Sequence, residues 1–239
     1  MFKYILTGII FLGLVLSIAQ SKVNAHETKT VVNSSTNSPV KEFSLESVPP
    51  DSLFTLHSII GMEATTEECQ KAFWLALQLF PELKNIKFEI LQKPLSTTMQ
   101  ARPNVNSFFG KKRSYTVFIN NDPNFEGIQF KDIPFNAKIG IICHELCHLL
   151  DYEQKSKGQI IQTGIRFLST QGRASYEKSI DYAVIEKGAG WQLYDWAYYA
   201  INQSKASPEY KEFKKQNYLQ PSEINEIIES LTIYQLNQD

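Results

Sequence analysis

The chain has 239 residues, of which 43% are hydrophobic and 21% charged, with 24 Lys and Arg against 25 Asp and Glu. A chain of this size buries roughly 70% of its unfolded surface without disulfide staples, and its composition excludes wholesale disorder and fibrous repeats. A net charge of −1 without any Lys or Arg block also lacks the electrostatic footprint of a nucleic-acid binder, so function has to be read from local motifs.

Lys3 precedes an uncharged run of 16 residues from Tyr4 to Ala19, after which the chain turns polar. This shape predicts a signal peptide over residues 1–25, cut before His26 after Val23-Asn24-Ala25. The expected destination is secreted or periplasmic. A retained segment would anchor the chain to a membrane instead, although the run falls short of the ~20 residues a crossing needs. Residues 26–50, rich in Ser, Thr, Asn and Pro, read as a flexible tether, and residues 51–239 as one folded domain. Cys69, Cys143 and Cys147 cannot all pair within one chain. A bridge between Cys143 and Cys147, four residues apart on a helix, would be strained, so any bridge would have to involve Cys69; the expectation is three free buried thiols, with a Cys69 bridge as the alternative.

Thr66 to Phe80 carries a helical apolar face with Thr65 and Glu68 at capping-box spacing, and Pro81 ends it. Ile86 to Leu91 and Tyr115 to Asn120 alternate as strands, joined by a connection containing Pro, Ser and Gly. After Pro134 the pattern is helical: Asn136 to Tyr152, Ile160 to Leu168, Tyr176 to Ala200 with a break at Gly188 to Gly190, and Ser222 to Ile233. The expected fold is α+β, with a small early β-sheet and a mostly helical C-terminal part.

The helix after Pro134 contains His144-Glu145-Leu146-Cys147-His148, the zinc-binding pattern H-E-x-x-H. At 100° per residue the two histidines differ by about 40° around the helix and about 6 Å along it, so both imidazoles can face one ion. Glu145, about 100° from His144, is placed to act as a general base rather than as a ligand. Ile141, Ile142, Leu146, Leu149 and Leu150 make the helix a core helix, in which two histidines and a glutamate are costly to bury without a partner. A metal supplies that partner.

No histidine follows His148, so a third ligand must be acidic. Glu177 and Asp181 are i,i+4 neighbours on a later helix, suited to one carboxylate on the metal and one accepting the spare ring N–H of a histidine. Glu186 is a competing third ligand without such a companion. Cys147 flanks the motif and is disfavoured as a fourth ligand, Asp151 reads as a charge near the helix end, and His26 and His57 read as exposed.

H-E-x-x-H followed on a later helix by E-x-x-x-D resembles the gluzincins, zinc metallopeptidases that include the thermolysin-like and CAAX-processing enzymes. The resemblance covers residues 136–183. It implies a zincin-like fold with His144, His148 and Glu177 as zinc ligands, Glu145 as general base and Asp181 as the partner of a histidine. It further implies that the strand Tyr115 to Asn120 borders the cleft and pairs with an extended peptide. No downstream histidine is available to stabilise an oxyanion, and Tyr176 and Tyr182 read as packing residues, as do the aromatics from Trp191 to Tyr199. The expected activity is hydrolysis of peptide or protein substrates by an exported zinc enzyme. The alternatives are a non-catalytic zinc-stabilised binding module and an envelope-associated interaction protein.

Overall fold

The computed structural model describes residues 38–49, 52, 61–62, 65–108, 110 and 112–235. The expected signal peptide, most of the tether, His26 and His57 lie outside the described residues.

Four strands form a mixed sheet in the order β1-β2-β4-β3: β1 (Gly61–Met62), β2 (Lys87–Lys93), β3 (Met99–Pro103) and β4 (Ser114–Asn120). β2 pairs in parallel with β1 and β4, while β3 runs antiparallel to β4 with Ala101 opposite Val117 and Met99 opposite Ile119. Because side chains alternate across a strand, Phe88, Ile90, Met99, Ala101, Tyr115, Val117 and Ile119 all point to one buried face. The opposite face carries Glu89, Thr116 and Phe118 and lines a depression of about 490 Å³ with Asn104 and Val105.

The helices are α1 (Glu67–Gln78), α2 (Val105–Phe108), α3 (Phe135–Gln154), α4 (Lys157–Arg166), α5 (Thr170–Val184), α6 (Gly190–Tyr198), α7 (Pro208–Asn217) and α8 (Pro221–Ser230). Strands early and helices late give the α+β architecture that the sequence predicts. The cap of α1 is one residue later than expected: Thr66, not Thr65, accepts the Cys69 N–H at 3.3 Å. None of the helices is long and apolar enough to cross a membrane, among the described residues.

α3 is the central helix. Every residue from Ala137 to Leu150 is buried, as befits a helix that is apolar nearly all round and packed between β3, α1, α5 and α6. Its one buried cation, Lys138, reaches Glu68 of α1 at 2.6 Å. Gly140 allows the closest approach: a Cβ there would lie 2.1 Å from the backbone carbonyl oxygen of Gln192 in α6.

The break expected at Gly188 to Gly190 is a wide, π-type turn over Ile185–Ala189, in which Gly188 takes φ +88°, a conformation that disfavours any side chain. The backbone groups freed there are satisfied by Tyr234, whose hydroxyl donates to the Ile185 carbonyl at 2.7 Å and accepts the Gly190 N–H at 2.8 Å. Residues 38–49, within the stretch read as a tether, run along α3 and α6. The Gln192 amide donates to the carbonyls of Val40 and Lys41, and the Phe43 N–H donates to Asn136.

The expectation that Tyr115 to Asn120 forms the edge beside the site is overturned. β4 is paired on both sides, and among the described residues the strand that ends that side of the sheet and packs on α3 is β3. The five residues of β3 carry no alternation strong enough to stand out from a loop.

Candidate metal centre

His144 and His148 stand one turn apart on α3, and Glu177 comes from α5, which is started by Ser169 accepting the Gly172 N–H at 3.0 Å. All three side chains are buried, and together they form a group that could hold a metal ion. Nε2 of His144 lies 3.1 Å from Nε2 of His148 and 3.0 Å from Glu177 Oε2, and the third edge, His148 Nε2 to Glu177 Oε2, is 3.4 Å.

These edges test the fit of an ion. Zinc bonds of ~2.0–2.1 Å in tetrahedral geometry set donor-to-donor edges of about 3.3–3.4 Å. The observed triangle is within a few tenths of an ångström of that. Two ring nitrogens 3.1 Å apart have room for one shared proton or for an ion that both ligate, but not for a proton on each.

Asp181, one turn after Glu177, meets the other side of His144. Its Oδ1 accepts from His144 Nδ1 at 2.8 Å, and its Oδ2 accepts the Leu219 N–H at 2.9 Å. Both oxygens of the buried carboxylate are thus engaged, which fixes the ring of His144 with Nε2 directed at Glu177. Burial opposes charging of His144, but the Asp181 and Glu177 carboxylates outweigh it and raise the imidazole pKa to about 10. Burial likewise pushes the Glu177 carboxyl up, and the two histidines more than reverse this, holding it well below the usual carboxylate range.

Glu145 follows His144 on α3 and is 6% exposed, yet its Oε2 is buried with no hydrogen-bond partner. This oxygen, on the residue that follows His144, has its lone pairs uncommitted to any protein donor.

Aromatic residues wall the centre. Tyr152 stacks on His148 with ring centroids 6.1 Å apart, and Tyr218 tilts against His144 at 5.5 Å. Lys214 sits 3.9 Å over the Tyr218 ring. The sequence marks neither tyrosine as a site residue, Tyr152 being only the last residue of the predicted helix, because they reach the site from the end of α3 and from the turn after α7.

Tyr176 and Tyr182, both read as packing residues, separate clearly. Tyr182 is 42% exposed, whereas Tyr176 places its hydroxyl 3.3 Å from His148 Nδ1 and 2.5 Å from Asp151 Oδ2. Asp151 is therefore part of the surroundings of His148 rather than a free charge at a helix end. Glu186 is exposed on the wide turn after α5, and Cys147 is buried in the apolar core, where desolvation raises its thiol well above the ordinary range. All three cysteines are free.

No family model matches the chain, and neither the curated proteins nor the solved structures give a match. The likeness to the gluzincins therefore rests on the motif residues and on the geometry just described.

Proposed function

We propose that the chain is an exported, zinc-dependent metallopeptidase that hydrolyses peptide bonds. The observation that supports this reading is a buried His-His-Glu triangle whose edges come within a few tenths of an ångström of those one tetrahedral ion sets, with the buried, unpaired Oε2 of Glu145 on the residue next to His144. A purely structural zinc site closes all its positions with protein ligands, whereas a catalytic site supplies three and leaves one open.

His144, His148 and Glu177 hold the ion, and Asp181 keeps His144 aimed at it. Zinc, when bound, supplies Lewis acidity toward the scissile carbonyl and toward water. Glu145 accepts the proton of the attacking water and hands it to the leaving nitrogen, a task for a carboxylate that can alternate between base and acid. The outward edge of β3, on the strand that packs against α3, suits the backbone of an extended peptide. The signal-like residues 1–25 support a secreted or periplasmic location. Membrane association follows only if that segment is retained.

The experiment is zinc stoichiometry and peptide hydrolysis measured on the wild type and on Glu145→Gln. The reading expects one zinc per chain in both, with hydrolysis of an unstructured peptide mixture reduced about 10²- to 10⁴-fold in the variant. Undiminished hydrolysis in the zinc-loaded variant refutes Glu145 as base. A wild type that takes up zinc without any hydrolysis returns the non-catalytic zinc-stabilised binding module, and one that takes up no zinc refutes the metal centre.

A further inference from the structure

The two histidines are held in unlike ways. His144 meets a carboxylate directly, whereas His148 meets a phenol. Tyr176, 8% exposed on α5, presents its hydroxyl to His148 Nδ1 at 3.3 Å and to Asp151 Oδ2 at 2.5 Å. Lys155 donates to that Asp151 oxygen at 2.6 Å and to Thr163 Oγ1 at 3.0 Å, with its ammonium 4.7 Å over the Tyr176 ring. The chain of contacts joins α3, α4 and α5 behind one imidazole.

We propose that Tyr176 is a positioning residue that locks His148 in the tautomer whose Nε2 lone pair faces Glu177, with Asp151 setting the direction of the phenol proton. A hydroxyl has one proton and two lone pairs. A carboxylate oxygen that already receives the Lys155 ammonium can only accept from Tyr176, so the phenol proton is committed to Asp151. What the phenol offers His148 is then a lone pair, which requires the proton on Nδ1 and leaves Nε2 free for an ion. Packing alone needs the ring and not the hydroxyl, which separates the two roles. The inference rests on the metal-centre reading given above.

The test compares the wild type with Tyr176→Phe and Asp151→Asn by two readouts. One is the tautomer of His148, read in the metal-free protein from nitrogen-15 shifts of the ring. The other is zinc affinity, read by competition with a chromophoric chelator. Far-UV circular dichroism verifies folding.

The expected result is an Nδ1–H tautomer in the wild type, a mixed population in Tyr176→Phe, and zinc binding about 10- to 100-fold weaker in that variant. Asp151→Asn is expected to shift both readouts in the same direction, and it decides the matter alone should Tyr176→Phe not fold. Unchanged tautomer and unchanged zinc affinity in a folded Tyr176→Phe overturn the proposal while leaving the metal centre standing. A wild type that binds no zinc overturns the metal centre, and the tautomer readout still decides the role of Tyr176.

Discussion

Asp181 joins two parts of the molecule that are distant in sequence, since one oxygen accepts from His144 Nδ1 on α3 at 2.8 Å and the other from the Leu219 backbone N–H before α8 at 2.9 Å. The carboxylate therefore serves both the geometry of the centre and the docking of the C-terminal helices. Asp181→Ala is expected to weaken zinc binding about 10- to 100-fold by releasing the ring of His144. It also strands a buried backbone donor, at a cost of about 1–3 kcal/mol. Asp181→Asn keeps an acceptor oxygen and is expected to lose zinc affinity with a smaller loss of stability. Chelator competition measures the first effect and urea unfolding of the metal-free variants the second. Equal stability of the Ala variant and the wild type would contradict the structural half of this account.

The metal-free protein has a pH signature of its own. Burial disfavours the charged His144, yet Asp181 and Glu177 prevail and bring its folded pKa to about 10, against about 6.5 for a free histidine. A raised pKa means that this contribution to stability is complete below about 6.5 and is lost as pH rises through about 10. For Glu177, burial is outweighed by the histidines and the folded pKa is depressed, so its contribution is present above the ordinary carboxylate pKa and is lost as pH falls through the depressed value. The melting temperature in chelator is thus expected to fall progressively on the alkaline side between pH 7 and 10, and Glu177→Gln to flatten that fall. A zinc ion held by His144 would take the place of the proton on its Nε2, so calorimetry of zinc addition in buffers of differing ionisation enthalpy is expected to show release of about one proton at pH 7.5. No proton release would mean that His144 is already neutral in the metal-free protein.

What the sequence disclosed about this centre follows from how far each relationship extends along the chain. The i,i+4 spacing of His144 and His148 is covalently fixed once the segment is helical, and the same holds for Glu177 and Asp181. That one helix should present its pair to the other was a chemical expectation, and the geometry agrees with it. Tyr176, by contrast, was visible only as a helical aromatic, because its role depends on Asp151 from another helix and on Lys155 beyond it. β3 was missed for a related reason. Met99–Pro103 is short, ends in proline, and acquires its identity from antiparallel pairing with β4 rather than from its own pattern. α7 was missed because Lys and Glu dominate it, and Tyr210, Lys214 and Asn217 are its buried residues.

The packing of α3 against α6 depends on a glycine. Gly140 lies one turn before His144, and a Cβ at that position would meet the Gln192 carbonyl oxygen at 2.1 Å and the Leu193 nitrogen at 2.9 Å. Both are backbone atoms of a packed helix, so no side-chain rotation relieves the clash and α3 and α6 must separate. Overpacking of this kind costs typically 1–3 kcal/mol and at times more. At about 2–4 °C per kcal/mol for a domain of this size, Gly140→Ala is expected to lower the melting temperature by roughly 2–12 °C. Gly158, on α4, has nothing within 4 Å of the corresponding position. There the same substitution removes only unfolded-state freedom and is expected to stabilise by about 0.4–1 kcal/mol. Opposite signs at two helical glycines of one chain would identify contact with α6, and not helix propensity, as the reason that residue 140 lacks a side chain. A melting temperature for Gly140→Ala equal to that of the wild type would show instead that α3 and α6 are not so closely apposed, and the placement of His144 relative to α6 would need revision.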